Sequence, residues 1–375
     1  MLELIPIFLT GMFLTALSEG ASHYTRDPYG RRIYRVKDKF FFTLMVVVLV
    51  FFCGLRTTYN DTETYIFNYL VTPSAYLDLN INWSIGANPG YNIIRTLFRY
   101  WGVPVNVYLM FYAIITNGIY LWFIRKYTNN ILLSMFLYFT LGCYTFTFAA
   151  IKQCVAVAFC LLAVESYLQD KKLGYIAWIV VAMLFHPYSF LFFAIFLLDF
   201  EPWSGRTAIF LLLSVGLALC LRPLMSIIVG VAAMIGEEYT MDTFTGGGVN
   251  GLRVLVVWAP LLLSYLTKNG LTAHPSRETN LFFNLSLLNA AIMFIGLFGT
   301  ANYFARLANY FLIFQVLLIP EVLRNFNASS RKLILGIMTV AYLVFFWYSN
   351  IIYGGFDFMY SRITLGEFFE QLFRG

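Results

Sequence analysis

Arg56 ends an unbroken apolar run, "VVVLVFFCGL", and is followed within nine residues by Asp61, Glu63 and Tyr65. A guanidinium presents planar paired donors that match a phosphate, and a nearby carboxylate can take a proton. Three more cations, Lys152, Arg253 and Arg306, stand where other apolar segments begin. His186 closes the apolar run in "AMLFHPYS" and precedes Pro187. Together these residue types suit group transfer from a phosphate-bearing substrate. Cations stabilise charge on a departing phosphate, and His186, Asp61 or Glu63 serves as the base. No zinc, haem or nucleophile motif accompanies them. We expect no cofactor, although Asp61, Thr62 and Glu63 leave a hydrated Mg²⁺ open. Each residue also has a plainer role: a snorkelling cation, a hydrogen-bonding histidine, or carboxylates that pair with Arg56 and cap the next helix.

The elements that position these groups must be membrane helices. The chain has 375 residues, of which 60% are hydrophobic and 12% charged, with mean hydropathy +0.73. A soluble domain of this length could not hide so much apolar surface. The segments are continuous apolar runs without the period-two alternation of a membrane barrel. Apolar windows predict twelve segments, near 2–20, 40–56, 103–124, 131–149, 151–168, 173–186, 188–200, 207–229, 252–267, 281–299, 304–323 and 333–352. The pair 173–186 and 188–200 falls short of the roughly 20 residues of a full span, so it is either tilted or a partial hairpin. The first segment lacks a basic leader region and a small-residue cleavage site, and reads as a span. The five cysteines lie in or beside apolar segments and read as small packing residues. The expectation is an all-α polytopic membrane protein, one domain over 1–375, with long loops at 57–102 and 230–251.

Charge sets the orientation. Alternate loops carry Arg26, Arg31, Arg32, Arg35, Lys37 and Lys39; Arg125 and Lys126; Lys171 and Lys172; Arg206; Lys268 and Arg277; and Arg324, Arg331 and Lys332. The positive-inside rule makes that side cytoplasmic and puts both termini outside. Arg56, Lys152, Arg253, Arg306 and His186 then share one extracytoplasmic layer, which suits an anionic lipid-linked head group. Arg362, near the C-terminus, reads as lying outside this group. A transporter or flippase of such an anionic lipid is the alternative; it would place charge near the midplane, on broken helices of related halves.

Within the first long loop, "NPGYNIIRTLFRYWG" puts Ile93, Ile94, Leu97, Phe98 and Trp101 on one helical face and Arg95 and Arg99 on the other. This predicts an interfacial helix, either an anchor or a wall of the site. Tyr65, Tyr91, Arg95, Gln153 and Tyr310 are candidates to line a cavity for the rest of that substrate. The second loop, "GEEYTMDTFTGGGVNG", holds Glu237, Glu238, Asp242 and Gly246-Gly247-Gly248, and reads as a mobile gate or a plain flexible linker.

These stretches resemble a known family. "GLRTTYNDTETY", "NPGYNIIRTLFRYWG", "IKQCVAVAFCLLA", "AMLFHPYSFL" and "ARLANYFLIFQVLLIP" are similar, in order and over most of the chain, to motifs of the EpsG family of Wzy-like exopolysaccharide polymerases. Lys152 stands where the family usually has arginine, and Asn60 where glycine is common. The resemblance implies a GT-C-like helical bundle with an outer-face cavity in the bacterial inner membrane. It implies a glycosyltransferase that joins oligosaccharide repeats carried on a polyprenyl diphosphate such as undecaprenyl diphosphate. Arg56, Lys152, Arg253 and Arg306 would hold the diphosphate. A ligase or single-sugar transferase would share the donor site. Implied partners are the lipid-linked donor and acceptor, membrane lipid, and a chain-length regulator or flippase, with no nucleic acid.

Orientation is directly testable. Cysteines at Asp78 and Gly247 should react with an impermeant thiol reagent from outside, and cysteines at Tyr29 and Ala328 should not. External labelling of Tyr29→Cys would invert the scheme.

Overall fold

A computed structural model describes residues 3–26, 32–78, 80–234, 247–273, 276–299 and 301–374. Tyr29, His274 and the expected gate residues Glu237, Glu238, Asp242 and Gly246 lie outside them. In chain order the elements are α1 (Leu4–Ala21), the antiparallel pair β1 (His23–Arg26) and β2 (Arg32–Val36), α2 (Phe40–Gly54), β3 (Arg56–Thr58), α3 (Thr62–Leu70), α4 (Pro89–Tyr100), α5 (Val105–Tyr127), α6 (Ile131–Thr140), α7 (Cys143–Ala149), α8 (Ile151–Leu168) and α9 (Lys172–Met183). A 3-10 helix, Pro187–Leu197, leads to α10 (Gly205–Leu219), α11 (Leu221–Met234), α12 (Gly251–Leu266), α13 (Lys268–Ala273), α14 (Arg277–Ile295), α15 (Ala301–Ala308), α16 (Leu312–Arg324), α17 (Ala328–Phe346), α18 (Phe356–Met359), β4 (Ser361–Arg362) and α19 (Leu365–Arg374).

The architecture is all-α. α1, α5, α8, α14 and the stretch Ala328–Met359 are long and apolar enough to cross a bilayer, and α6 with α7 forms a sixth such segment bent by 45°. The bend falls at Gly142, whose φ of 79° is left-handed and costs glycine little. Three expected segments differ from the prediction, the first being 207–229, which is α10 and α11 broken at Cys220. The run 304–323 is not one helix but α15 and α16, so Arg306 sits in the last turn of a short helix rather than opening a spanning one. The run 188–200 is largely 3-10 helix, begun by Pro187, which lacks a backbone donor.

The chain forms two compact units. The first comprises Met1–Leu79, Ile94–Cys154 and Leu343–Gly375. Here α2 packs against both α1 and α5, and α1 against α6. Gly54 lets α2 approach α5 closely, since a Cβ there would fall 2.4 Å from the Met110 sulfur. The second unit comprises Asn80–Ile93 and Val155–Tyr342. In it α14 contacts α10, α12, α15 and α16. Gln315 of α16, fully buried, donates to the carbonyls of Val257 (3.0 Å) and Ser286 (3.3 Å). Pro260 inside α12 removes the N–H that would meet Val256 O, and the Tyr342 hydroxyl donates there instead (3.4 Å).

Candidate functional site

In the first unit the site begins where α2 stops. Its last carbonyls have no helical partner and face a low-dielectric surrounding. Arg56 Nη1 donates to Cys53 O (2.5 Å), and Tyr360 Oη donates to Phe52 O (2.8 Å). Arg56 Nε donates to Thr62 Oγ1 (3.1 Å), which in turn donates to Phe148 O (3.3 Å). The guanidinium lies 5.8 Å from the centroid of the Phe148 ring, and Arg56 is only 1% exposed. The arginine thus closes its own helix, with positive charge at the negative end of the helix dipole. Nη2 has no partner among the described residues.

Arg56 also lies in β3, whose partner is β4, with Arg56 directly opposite Arg362. The Thr57 hydroxyl is 2.6 Å from that of Ser361, Thr58 Oγ1 donates to Met359 O, and Ile363 N donates to Leu55 O. Arg362 pairs with Glu3 (3.4 Å), whose backbone N–H donates to Asp357. Arg362 therefore belongs beside Arg56, contrary to the sequence expectation. Strand pairing across some three hundred residues left no local signal.

The loop between β3 and α3 carries left-handed φ values at Tyr59 (145°) and Asn60 (46°). Asparagine tolerates that region and a ring-bearing residue does not, so Tyr59 is strained. Asp61 precedes α3 but its side chain makes no capping bond, and Glu63 is exposed. Among the described residues neither pairs with Arg56, so the expected ion pair and cap do not form. Thr62 is buried and its hydroxyl is engaged by Arg56 Nε and Phe148 O. Tyr65 and Gln153 are buried; Lys152, in the first turn of α8, and Arg95 are half-buried. Arg99 repeats the Arg56 device, donating to Thr72 O (3.2 Å) and Leu70 O (3.3 Å) at the end of α3. Its guanidinium lies over Tyr69, whose hydroxyl donates to Val103 O. Burial pushes the Tyr69 pKa up to about 12, against the opposing pull of Arg99, so this donor stays protonated.

In the second unit the site begins where α9 stops. Gly90 N donates to Leu184 O (2.8 Å), and a Cβ on Gly90 would come within 3.0 Å of Leu184 Cβ. The predicted Pro89-Gly90 turn thus holds the chain two residues before His186, with Tyr91 buried beside it in sequence. His186 Nδ1 is 2.7 Å from Tyr310 Oη. The ring of Tyr188 meets that of Tyr303 edge-on at 5.8 Å. Arg306 is exposed in the last turn of α15, between Tyr303 and Tyr310, both of which touch the His186 turn. Arg253 is half-buried in the first turn of α12, behind its Asn250 cap. When His186 Nδ1 carries the proton and donates to Tyr310, the ring lone pair is on Nε2. In the other tautomer Tyr310 donates and Nε2 carries the proton.

The sequence reading missed Asn289. It is buried in α14, and its Nδ2 donates to Ala308 O (2.7 Å), the carbonyl at the end of α15. That bond pins the break that separates Arg306 from Tyr310. The available signal was an amide inside "NLSLLNAAIMF", where hydrocarbon makes a polar side chain expensive.

The EpsG family model matches residues 39–361, which include every candidate residue from Arg56 to Tyr310. The chain belongs to the EpsG family. No curated protein and no solved structure matches it. Membership of the EpsG family, with several long apolar helices, identifies a multi-pass membrane protein with a general polysaccharide-polymerase role, glycosyltransferase-like in activity.

Tyr310→Phe keeps the ring and removes one hydroxyl. It should preserve membrane abundance and lower polymerisation by roughly 5- to 100-fold, as expected for leaving one partner of a buried hydrogen bond unsatisfied. Asn289→Leu should lower unfolding stability in detergent by about 1–3 kcal/mol, because Ala308 O loses its donor. Wild-type rate from the first and wild-type melting from the second would separate these contacts from the site.

Proposed function

We propose that the protein joins oligosaccharide repeat units, carried on a polyprenyl diphosphate, into exopolysaccharide or capsule on the extracytoplasmic face of the bacterial inner membrane. Twelve membrane segments in a GT-C-like arrangement, with both termini outside, complete the reading; the loop charge asymmetry supports that orientation. An acceptor hydroxyl attacks the anomeric carbon of the donor sugar. The bond from that carbon to the diphosphate oxygen breaks, and the electron pair leaves with the lipid diphosphate. His186 Nε2 takes the acceptor proton, with Nδ1–H donating to Tyr310. Single displacement inverts the anomeric centre, and the cations suffice without a metal.

The observation that carries the reading is the second-unit arrangement in which His186 is bonded to Tyr310 while exposed Arg306 lies between the two tyrosines that touch its turn. It supplies a base and a cation from one short stretch of fold. We assign Arg306 and Arg253 to the departing diphosphate. For Arg56 and Lys152 of the first unit the same assignment rests on residue type and topology, with Arg56 limited to its Nη2 donors. Asp61 and Glu63 are the other candidate bases. Tyr65, Tyr91, Arg95 and Gln153 are assigned to the sugar as cavity-lining candidates by residue type alone.

Arg306→Lys separates charge from geometry. If Arg306 only snorkels, lysine keeps charge and stem and is nearly neutral. If it grips a diphosphate, lysine offers a point charge in place of a planar fork, and the rate should fall on the order of 10²-fold or more. Exposed Arg331→Lys is the control; Arg362 is unsuited to that use, since it lies opposite Arg56. Polymer length on a gel, at matched membrane abundance, reads the outcome. Wild-type chain length from Arg306→Lys would make Arg306 an anchor.

A further inference from the structure

The C-terminal helix α19 lies beyond the family match of residues 39–361, and the polymerase reading does not use it. Thr364 and Glu367 open it with a reciprocal cap. Thr364 N donates to Glu367 Oε2 (2.7 Å), and Glu367 N donates to Thr364 Oγ1 (3.2 Å). Three stripes then run along "LGEFFEQLFR". Phe368 and Gln371, three apart, form the edge that meets the rest of the first unit. Phe368 is buried, its ring 6.1 Å from that of Phe51 near the end of α2. Gln371 Oε1 accepts from Asn106 Nδ2 (2.8 Å) in the first turn of α5. Leu365, Phe369, Leu372 and Phe373 form the next stripe, and all four are exposed, Phe373 by 81%. Glu367 and Glu370 lie on the remaining side and are exposed as well.

The helix is thus held by one edge, with an uncovered apolar face to one side and carboxylates to the other. Its neighbours say what covers the apolar face. On α2, Phe40, Leu44 and Val47 form an exposed stripe at helical spacing, and Phe51 continues it by one more turn. In a multi-pass membrane protein such a stripe faces lipid. The Phe51 ring also lies 6.4 Å from that of Phe369, so the apolar face of α19 begins where the lipid-facing stripe of α2 ends. The depth is marked by α5, which is long and apolar enough to cross the bilayer and is bonded to α19 at its first turn. Tyr100 and Trp101, just before α5, are both exposed. Exposed aromatic rings at the end of a spanning helix belong at the head-group level. An amphipathic helix at that level lies in the interface with its apolar face toward the acyl chains.

We propose that α19 is a membrane-docking helix, with Leu365, Phe369, Leu372 and Phe373 buried in the lipid of the leaflet at the Arg56 end of α2. α19 carries Glu367 and Glu370 against one cation, Arg374, so apolar burial holds it and attraction to anionic lipid does not. Only Ile363 and Thr364 separate α19 from β4, and Ile363 N donates to Leu55 O (3.0 Å). Docking therefore also fixes the depth of the strand pair that carries Arg56 and Arg362. The inference stands apart from the polymerase chemistry and from which leaflet faces the cytoplasm.

The test is nitroxide labelling of the full chain in phosphatidylcholine vesicles. Cys220→Ser removes the one exposed cysteine, and the other four are buried. Leu372→Cys, Phe373→Cys and Glu370→Cys then each carry the label, at side chains that are exposed and outside the packed core. Relaxation of the label by oxygen, which concentrates in lipid, is compared with relaxation by a water-soluble nickel chelate. The oxygen-to-nickel ratio should be about five-fold or more higher at Leu372→Cys and Phe373→Cys than at Glu370→Cys, as for a helix lying in the interface. Equal ratios at the three positions would place α19 in water and overturn the proposal. So would protection of Leu372→Cys and Phe373→Cys from both reagents, which would mean that a second copy of the chain covers this face.

Discussion

A helix that breaks inside an apolar surrounding strands carbonyl groups that water cannot reach, and each stranded carbonyl needs a donor from the protein itself. Several buried polar side chains among the described residues can be read from that constraint. Arg56 and Tyr360 serve the end of α2, and Arg99 the end of α3. In the other unit, Asn289 serves the end of α15, Asn284 the carbonyls of Leu198 and Phe200, and Tyr342 the carbonyl released by Pro260. All of these donors except Tyr342, which serves a carbonyl inside α12, bond carbonyls at a helix end or in the turn after it.

Helix breaks are also where chemistry can be held near a membrane surface. The turn after α9 presents His186, and the break after α15 presents Arg306 on one side and Tyr310 on the other. A donor that satisfies a carbonyl at such a break does a second job, since it sets the direction of the functional side chains around it. Arg56 shows the two roles on one residue. Its Nε and Nη1 are committed to Thr62 and Cys53, and what remains for a ligand is Nη2.

Much of this was legible in the sequence. The apolar runs gave the helical class, the Pro89-Gly90 turn and the amphipathic pattern gave α4, and "MLFHPYS" marked a helix end at His186. What was not legible depended on contacts distant in the chain. Nothing local says that Arg362 faces Arg56, or that Glu3 reaches Arg362. Nor did periodicity distinguish one helix at 304–323 from two, because residues 309–311 are compatible with either until Asn289 takes the carbonyl of Ala308. The plainer alternative, in which Asp61 and Glu63 pair with Arg56, is not seen for a similar reason. The guanidinium turns back onto its own helix, and the carboxylates stand at the start of α3.

The central claim is that this EpsG-family chain links repeat units that have already reached the outer leaflet. It is tested most directly by deleting the protein and analysing the lipid-linked glycan in intact cells. The account predicts that single repeat units accumulate on the polyprenyl carrier, that an impermeant glycosidase added outside removes them, and that long polymer is lost. Single units that accumulate but stay protected from the added enzyme would point to transport across the membrane, and polymer of normal length would contradict the account outright.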